Sequence, residues 1–418
     1  VTGRIRVIGV GDDGCLSLTS RAINAVAEAE VLAGAGRHLA FFPQFQGERL
    51  TLTTPIEGYL QAIAESAQQR DVCVLASGDP MFFGIGSRIK TFLEGLEQPP
   101  ELEIIPSLSA MQLACARLGW ASQETDLLSV HGRPLTGLVA RLQQGERFVL
   151  LTDAEHNPRR IAEHLLEFGE THWRIHLCEA LGGVNERVRS FDIEQLVQGK
   201  AEPVQPLNLM MLERTDALRW GGYPGHCPDD AYAKRTPDRG LITKAPVRAV
   251  AVANLRVQPD SVVWDLGAGS GSIGIEAAKQ AWQGQVYAVE CNDQCYPTLE
   301  ANRRAHRVDN LTLIKGRAPQ ALESLPDPDA VFCGGSRGEM AAIFKLALAR
   351  LKPGGRLVFS AVTLESLSEL HQLCRDAGVD AQVLMLTAAH GQSLAHYTRY
   401  QGDNPIHLFT IEKRAEGQ

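Results

Sequence analysis

The sequence predicts two α/β domains in tandem, each built on an open, mostly parallel sheet with helices against it. Short β-branched runs alternate with helix-period segments along both halves of the chain, the pattern expected of strand–helix–strand crossovers. At 418 residues the chain is long enough for two hydrophobic cores of about 200 residues each. Each half also carries a glycine loop directly after a strand, IRVIGVGDDG at 5–14 and VVWDLGAGSGS at 262–272, and ligands of open α/β sheets collect at such strand ends.

In the first half the expected strands are 5–10, 72–76, 102–106, 147–151, 173–178 and 207–212, with helical patterns such as 20–30 and 111–119 between them. In the second half they are 262–266, 285–290, 311–315, 330–333, 356–360, 380–386 and 406–412. The last two of these seven lack a clear intervening helix, so a doubly wound sheet closed by an antiparallel pair is expected. The stretch RWGGYPGHCPDDAYAKRTPDRGLITKAP, 219–246, is rich in Gly, Pro and charge and poor in aliphatic periodicity. It marks a junction. The expected division is 1–213, a linker and substrate-admitting segment 214–242, and 243–418.

Composition excludes several classes. A hydrophobic content of 44% with 22% charged residues is that of an ordinary globular protein. The formal charge of −8 argues against a general nucleic-acid binder. Nine cysteines, an odd number without a CxxC pair, suit a reducing cytoplasm better than a disulfide framework. Cys291 and Cys295, four apart near a helix start, read as packing, and no metal is expected. VTGRIRVIGVG enters a strand at once, so no secretory segment is expected, and no apolar run approaches the ~18 residues that cross a bilayer.

The second loop carries the chemistry. Gly269, Gly271 and Gly274 satisfy GxGxxG, the fingerprint of a dinucleotide whose pyrophosphate sits on a helix N-terminus. Asp265, two residues before Gly267, would face that anion. A carboxylate there instead favours a cationic sulfonium bearing an amino group, as in S-adenosyl-L-methionine. Glu290, about 20 residues past the loop, ends the next strand where an acid can grip ribose hydroxyls. A nicotinamide dehydrogenase is therefore disfavoured. A nucleic-acid methyltransferase would want a base-stacking motif such as NPPY, and none is present. In the first half Gly9 and Gly11 lack the third glycine, but LASGDPMFFGIG (75–86) and IIPSLSAMQLACARLG (104–119) also pass from strand to small residues before a helix. Asp79, between Gly78 and Pro80, is either a ligand contact or the cap of an Asx turn.

These stretches carry a resemblance. VIGVG, ASGDPMFFG, IPSLSAMQLACARLGW, HGRP (131–134), CEALGGVNERV (178–188) and PLNLMML (206–212) resemble the tetrapyrrole methylase family, and within it the CbiE branch of cobalamin biosynthesis. The second half resembles CbiT in the TK of LITKAPVRA (241–249), VVWDLGAGSGS, GxAPxxL at 316–322, VFCGG (331–335) and LKPGGRLV (351–358), and in a tail with Thr398, Arg399, Asn404 and Pro405. Their fused order resembles the C(5,15)-methyltransferases that also decarboxylate precorrin-6B. The resemblance implies a class III tetrapyrrole methylase fold followed by a Rossmann-like class I methyltransferase, with S-adenosyl-L-methionine as cofactor of both. Carried over, the cofactor contacts are Ser77, Gly78, Asp79, Ser109 and Ala110 in the first half, and Thr243, Gly267, Ala268, Gly269, Ser270, Gly271, Glu290 and Ala318 in the second. Arg317 stands where many relatives have an acid, and GVGDDG replaces the frequent GPG, leaving Asp12 and Asp13 unassigned.

The implied reaction converts precorrin-6B to precorrin-8X by methylation of carbon 5 in the first half, methylation of carbon 15 in the second, and loss of the ring-C acetate carboxyl. The same domains could instead serve a cobalt-precorrin of the anaerobic branch, or the first could be a scaffold that only passes substrate on. Methyl transfer from a sulfonium to an enamine-like carbon needs positioning more than acid or base. The macrocycle's carboxylates need cations, and residues 231–248 supply Lys234, Arg235, Arg239, Lys244 and Arg248 against Asp238 alone. The plain alternative is a solvated linker. His131, Arg133, Arg187 and Arg189 are the first half's counterparts, with His131 equally readable as a packed histidine. No catalytic residue is assigned, and His390 and Tyr397 in the tail are the candidate proton donors for decarboxylation. Relatives of both halves self-associate, so a homo-oligomer is expected.

Overall fold

The computed structural model describes residues 3–235 and 242–414. Its contacts divide the chain into two units. The first comprises 1–133, 147–159 and 174–213, and the second 134–146, 160–173 and 214–418.

The first unit holds two five-stranded sheets. One contains β1 (Arg4–Val10), β2 (Val31–Gly34), β3 (Glu48–Thr51), β4 (Val72–Ser77) and β5 (Glu101–Ile105) in the order β3-β2-β4-β1-β5, with every pair parallel. Its central strands are apolar at nearly every position because both faces are covered. Val7 and Val74 enter one core cluster, and their neighbours Ile8 and Leu75 the opposite one. The other sheet contains β6 (Asp126–Ser129), β7 (Arg147–Leu151), β8 (Trp173–Glu179), β9 (Arg187–Phe191) and β10 (Asn208–Arg214), in the order β6-β7-β10-β8-β9. It is mixed, with β6 parallel to β7 and β7 antiparallel to β10. The sequence pattern marked neither β2, β3, β6 nor β9. Three of them have only four residues, and β9, RVRSF, is an edge strand whose arginines break the apolar run.

The second unit carries β11 (Val262–Leu266), β12 (Gln285–Glu290), β13 (Leu311–Lys315), β14 (Ala330–Cys333), β15 (Arg356–Ala361), β16 (Ala381–Leu386), β17 (Ala389–Leu394), β18 (Tyr397–Gly402) and β19 (Ile406–Glu412). Seven of these form one sheet, β13-β12-β11-β14-β15-β19-β16. It is parallel as far as β15, and β19 runs antiparallel to both its neighbours, as the missing last helix implied. Val263 and Trp264 alternate into the two cores on either face. The stretch between β16 and β19 is no plain loop. It forms a separate two-stranded ribbon, β17 with β18, exposed on both faces.

Candidate cofactor and substrate sites

In the second unit the site begins where β11 stops. Gly267 has φ +72°, and a Cβ there would lie 2.8 Å from the carbonyl oxygen of Gly335, so only glycine lets this loop cross the one after β14. Gly271 then caps the helix Ser272–Gln280. Asp265 is 1% exposed, and its Oδ2 accepts the Gly274 N–H of that helix at 2.8 Å. It sits deeper than a residue whose whole duty was to face a ligand. Burial pushes its carboxyl up to about 7, against the Gly274 N–H that favours the anion, and the charge of Glu290 adds to the rise. Glu290, at the end of β12, accepts the Gly269 N–H at 2.9 Å through one oxygen and the Asn292 N–H at 2.7 Å through the other. It braces the glycine loop from the neighbouring strand.

A cavity of about 700 Å³ opens above these strand ends. Its wall includes Thr243, Asp265, Gly267, Ala268, Gly269, Ser270, Glu290 and Ala318, while Gly271 lies behind it as the helix cap. The volume is within the ~300–1,000 Å³ of ordinary ligand pockets. Two carboxylates at the strand ends, one already resisting ionisation, suit a cationic ligand and oppose a pyrophosphate. The donor set therefore fits S-adenosylmethionine.

Cations rim the same cavity. Lys234, Arg235 and Lys244 line it as anticipated, and Arg317 and Arg337 join them. Arg317 donates to the Arg337 carbonyl at 2.8 Å and pairs with Glu339 at 3.3 Å. Arg337 was missed because it sits in the glycine-rich turn after β14, far in sequence from the other cations.

Arg248 must be corrected. It is 0% exposed and does not reach the cavity. Its Nε donates to Glu276 Oε1 at 2.6 Å, and its Nη1 donates to the Thr243 carbonyl at 2.6 Å and to Asp229 at 3.1 Å. Its Nη2 donates to the Cys227 carbonyl, and its guanidinium lies 4.8 Å from the Tyr232 ring centroid. A guanidinium with that many internal acceptors fastens the junction around Cys227, Asp229 and Thr243 to the helix Ser272–Gln280 and does not reach the cavity. Arg239 lies outside the described residues.

The first unit's site is smaller, a cavity of about 170 Å³ at strand ends of its two sheets. Ser77, Gly78 and Ala110 line it, together with Ala180 and Leu207. A Cβ on Gly9 would lie 1.8 Å from the Gly78 carbonyl oxygen, so the two loops touch here. Two anticipated contacts are absent from its wall. Asp79 accepts the Met81 N–H at 2.8 Å in an Asx turn, and Ser109 caps the helix Ala110–Leu118 in a reciprocal pair with Gln112. Both local bonds compete with a ligand for the same oxygens. Arg37 and His38 went unnoticed in the sequence because they follow the unmarked strand β2. Arg37 donates to Ser77 Oγ at 2.7 Å and lies 3.8 Å from Asp12, while His38 Nε2 is 3.3 Å from the same hydroxyl. Burial, then the charge of Arg37, hold His38 down at about 4 against a hydrogen bond to the Leu75 backbone carbonyl. The imidazole is neutral at pH 7. At this volume the cavity holds part of a cofactor of that size.

His131 and Arg133 are exposed on the loop after β6 and line neither cavity, with His131 Nδ1 at 3.3 Å from the Thr152 carbonyl. Arg187 and Arg189 are likewise engaged elsewhere, both clamping the buried Glu179. The tail candidates part company. His390 bonds Asp403, which lines the larger cavity, while Tyr397 stands at the ribbon's far end.

Comparison with known proteins finds a family match on each half of the chain. Residues 4–197 match the family of tetrapyrrole (corrin/porphyrin) methylases, and residues 236–413 match the precorrin methyltransferase domain. A Sinorhizobium protein named precorrin-6Y C(5,15)-methyltransferase [decarboxylating] is 36% identical over 412 residues, covering 96% of this chain and 94% of its own. Two part-length relatives follow. The cobalt-precorrin-7 C(5)-methyltransferase of Salmonella typhimurium is 39% identical over 44% of this chain and 88% of its own. A probable cobalt-precorrin-6B C(15)-methyltransferase (decarboxylating) of Methanothermobacter thermautotrophicus is 35% identical over 43% of this chain and 93% of its own. With an acid-floored glycine-loop cavity in one unit, a second strand-end cavity in the other, and a relative matched along nearly its whole length, the chain belongs to the decarboxylating precorrin C(5,15)-methyltransferases of cobalamin biosynthesis.

Proposed function

We propose that this chain methylates carbons 5 and 15 of the metal-free precorrin-6 substrate for which its full-length relatives are named, and removes the ring-C acetate carboxyl. The observation that carries the reading is the second unit's cavity, with carboxylates at its floor and cations at its rim. Bound S-adenosylmethionine would supply an electrophilic methyl group. Asp265 and Glu290 hold the cationic end of that ligand and its ribose, and Thr243, Gly267 to Ser270 and Ala318 shape the wall around it. Lys234, Arg235 and Lys244 receive the macrocycle's carboxylates and fix the reacting carbon within attack distance.

In the first unit Ser77, Gly78 and Ala110 hold the cofactor, and His131 and Arg133 meet substrate only if it extends over the loop after β6. We assign carbon 5 to the first unit and carbon 15 with decarboxylation to the second, with functional boundaries at 1–213, 214–242 and 243–418. Two part-length relatives, each named for one carbon, support that division. We further infer a self-associating enzyme that acts in the cytoplasm without nucleic acid. The net charge of −8 and nine unbridged cysteines favour this, and among the described residues no helix is long and apolar enough to cross a membrane.

The test is anaerobic turnover of metal-free precorrin-6B with S-adenosylmethionine, read by mass spectrometry, beside Gly269→Asp. Two methyl additions with loss of one carbon dioxide are expected in the wild type, and the variant should lose the decarboxylation. Turnover only with cobalt in the ring would assign the chain to the anaerobic branch.

A further inference from the structure

Decarboxylation of an acetate side chain has a proton requirement that methyl transfer lacks. The bond between the methylene carbon and the carboxylate carbon breaks, its electron pair passes into the conjugated macrocycle, and carbon dioxide leaves. That pair must then take one proton at the methylene carbon to give a methyl group. The donor must hold a proton near neutrality and be recharged by water. Lysine and arginine on the rim hold their protons too tightly, and Asp265 has its Oδ2 on the helix N-terminus at the cofactor end of the cavity. The described wall contains no histidine.

One histidine reaches that wall through a partner. His390 Nε2 lies 3.0 Å from Asp403 Oδ2, and Asp403 lines the cavity beside Ala388 and Asn404. The Asp403 N–H bonds the Ala388 carbonyl at 2.8 Å, so the base of the ribbon is pinned to the cavity mouth. The imidazole is 59% exposed, and its Nδ1 has no protein partner among the described residues. Tyr397, the alternative donor in the tail, pairs with Leu394 at the ribbon's tip, whereas His390 pairs with Gln401 near its base. Four residues of strand separate them, about 13 Å at ~3.3 Å per residue.

We propose that His390, held by Asp403, is the proton donor of the decarboxylation, a reading that rests on the function proposed above. The Asp403 carboxylate accepts Nε2–H and leaves Nδ1–H facing outward. The macrocycle, anchored by the cationic rim, leaves its acetate edge at the mouth where Nδ1–H can reach it. After transfer His390 is neutral and takes a proton back from solvent.

The experiment measures carbon dioxide released per S-adenosylhomocysteine formed, anaerobically, on metal-free precorrin-6B, in the wild type, His390→Gln, Asp403→Asn and Tyr397→Phe. Loss of a general acid should lower the ratio in His390→Gln by about 100-fold, with a methylated product that still carries its acetate. Asp403→Asn should fall in the same direction but less. An unchanged ratio in His390→Gln, or a loss in Tyr397→Phe instead, would overturn the assignment. A wild type that transfers no methyl group would remove the functional reading and this proposal with it, which separates the two failures.

Discussion

Replacing Arg248 by Leu isolates the buried cluster that ties the junction at Cys227, Asp229 and Thr243 to Glu276. Arg248 is 0% exposed and Glu276 3%, so the substitution strands a carboxylate away from water. Removing one member of a buried pair ordinarily costs about 3–5 kcal/mol. Glu276 keeps three other contacts, the Cys227 N–H at 3.1 Å, the Tyr232 hydroxyl at 3.2 Å and His226 at 2.7 Å, which argues for the lower end of that range. Against this, the Thr243 and Cys227 carbonyls lose a charged donor, each worth about 1 kcal/mol. The expected loss is therefore about 5 kcal/mol, and Arg248→Leu with Glu276→Leu should be at least ~2 kcal/mol more stable than the sum of the single changes, because no charge is then left unpaired. Urea unfolding by tryptophan fluorescence reads the right unit, since Trp220, Trp264 and Trp282 belong to the second, Trp120 to the first, and Trp173 opens β8 at the boundary. A loss below ~1 kcal/mol, or an additive cycle, would refute the view of Arg248 as a fastening residue and return it to the substrate anchors.

Glu290→Ala removes the acceptor of the Gly269 and Asn292 N–H groups, and should weaken one of two cofactor sites by about tenfold, some 1.4 kcal/mol, in calorimetry; two unchanged sites would contradict its role. The Asp265 carboxyl rises from 3.8 to about 7 on folding, so the unfolded chain binds fewer protons in that window and the ligand-free protein should lose stability as pH rises through it. Asp265→Asn should flatten the profile, and a cationic ligand should bind more tightly above pH 7 than below; parallel profiles for wild type and variant would reject this. His38 has the opposite sign, falling from 6.5 to about 4, so stability should rise with pH across that window and His38→Gln should remove the rise. Gly9→Ala drives a Cβ to 1.8 Å from the Gly78 carbonyl, and should yield a product methylated once and decarboxylated; a doubly methylated product would argue against the first cavity.

What the sequence by itself determined is the part governed by near neighbours along the chain. The alternation of β-branched runs and helical periods marked all seven strands of the second unit's main sheet and, in the first unit, β1, β4, β5, β7, β8 and β10, each at least five residues long and so able to show a period. The glycines with Asp265 and Glu290 marked the loop that walls the larger cavity, since a tight turn and an acid at the next strand end lie within one βαβ unit. The short and edge strands β2, β3, β6 and β9 left too little periodicity to be seen, and Arg37 and His38 were hidden with β2. Only the tertiary structure decided what each polar side chain does. Arg248 and Lys244 stand four apart in one basic stretch, yet one is buried on Glu276 from the cofactor helix and the other lines the cavity. Asp79 and Ser109 satisfy their own backbone, and His390 is joined to Asp403 across a ribbon that no local pattern announced. A charge near the fold's surface is free to meet a ligand, whereas a buried one must find its partner within the protein, and which of these applies depends on segments brought together only when the chain folds.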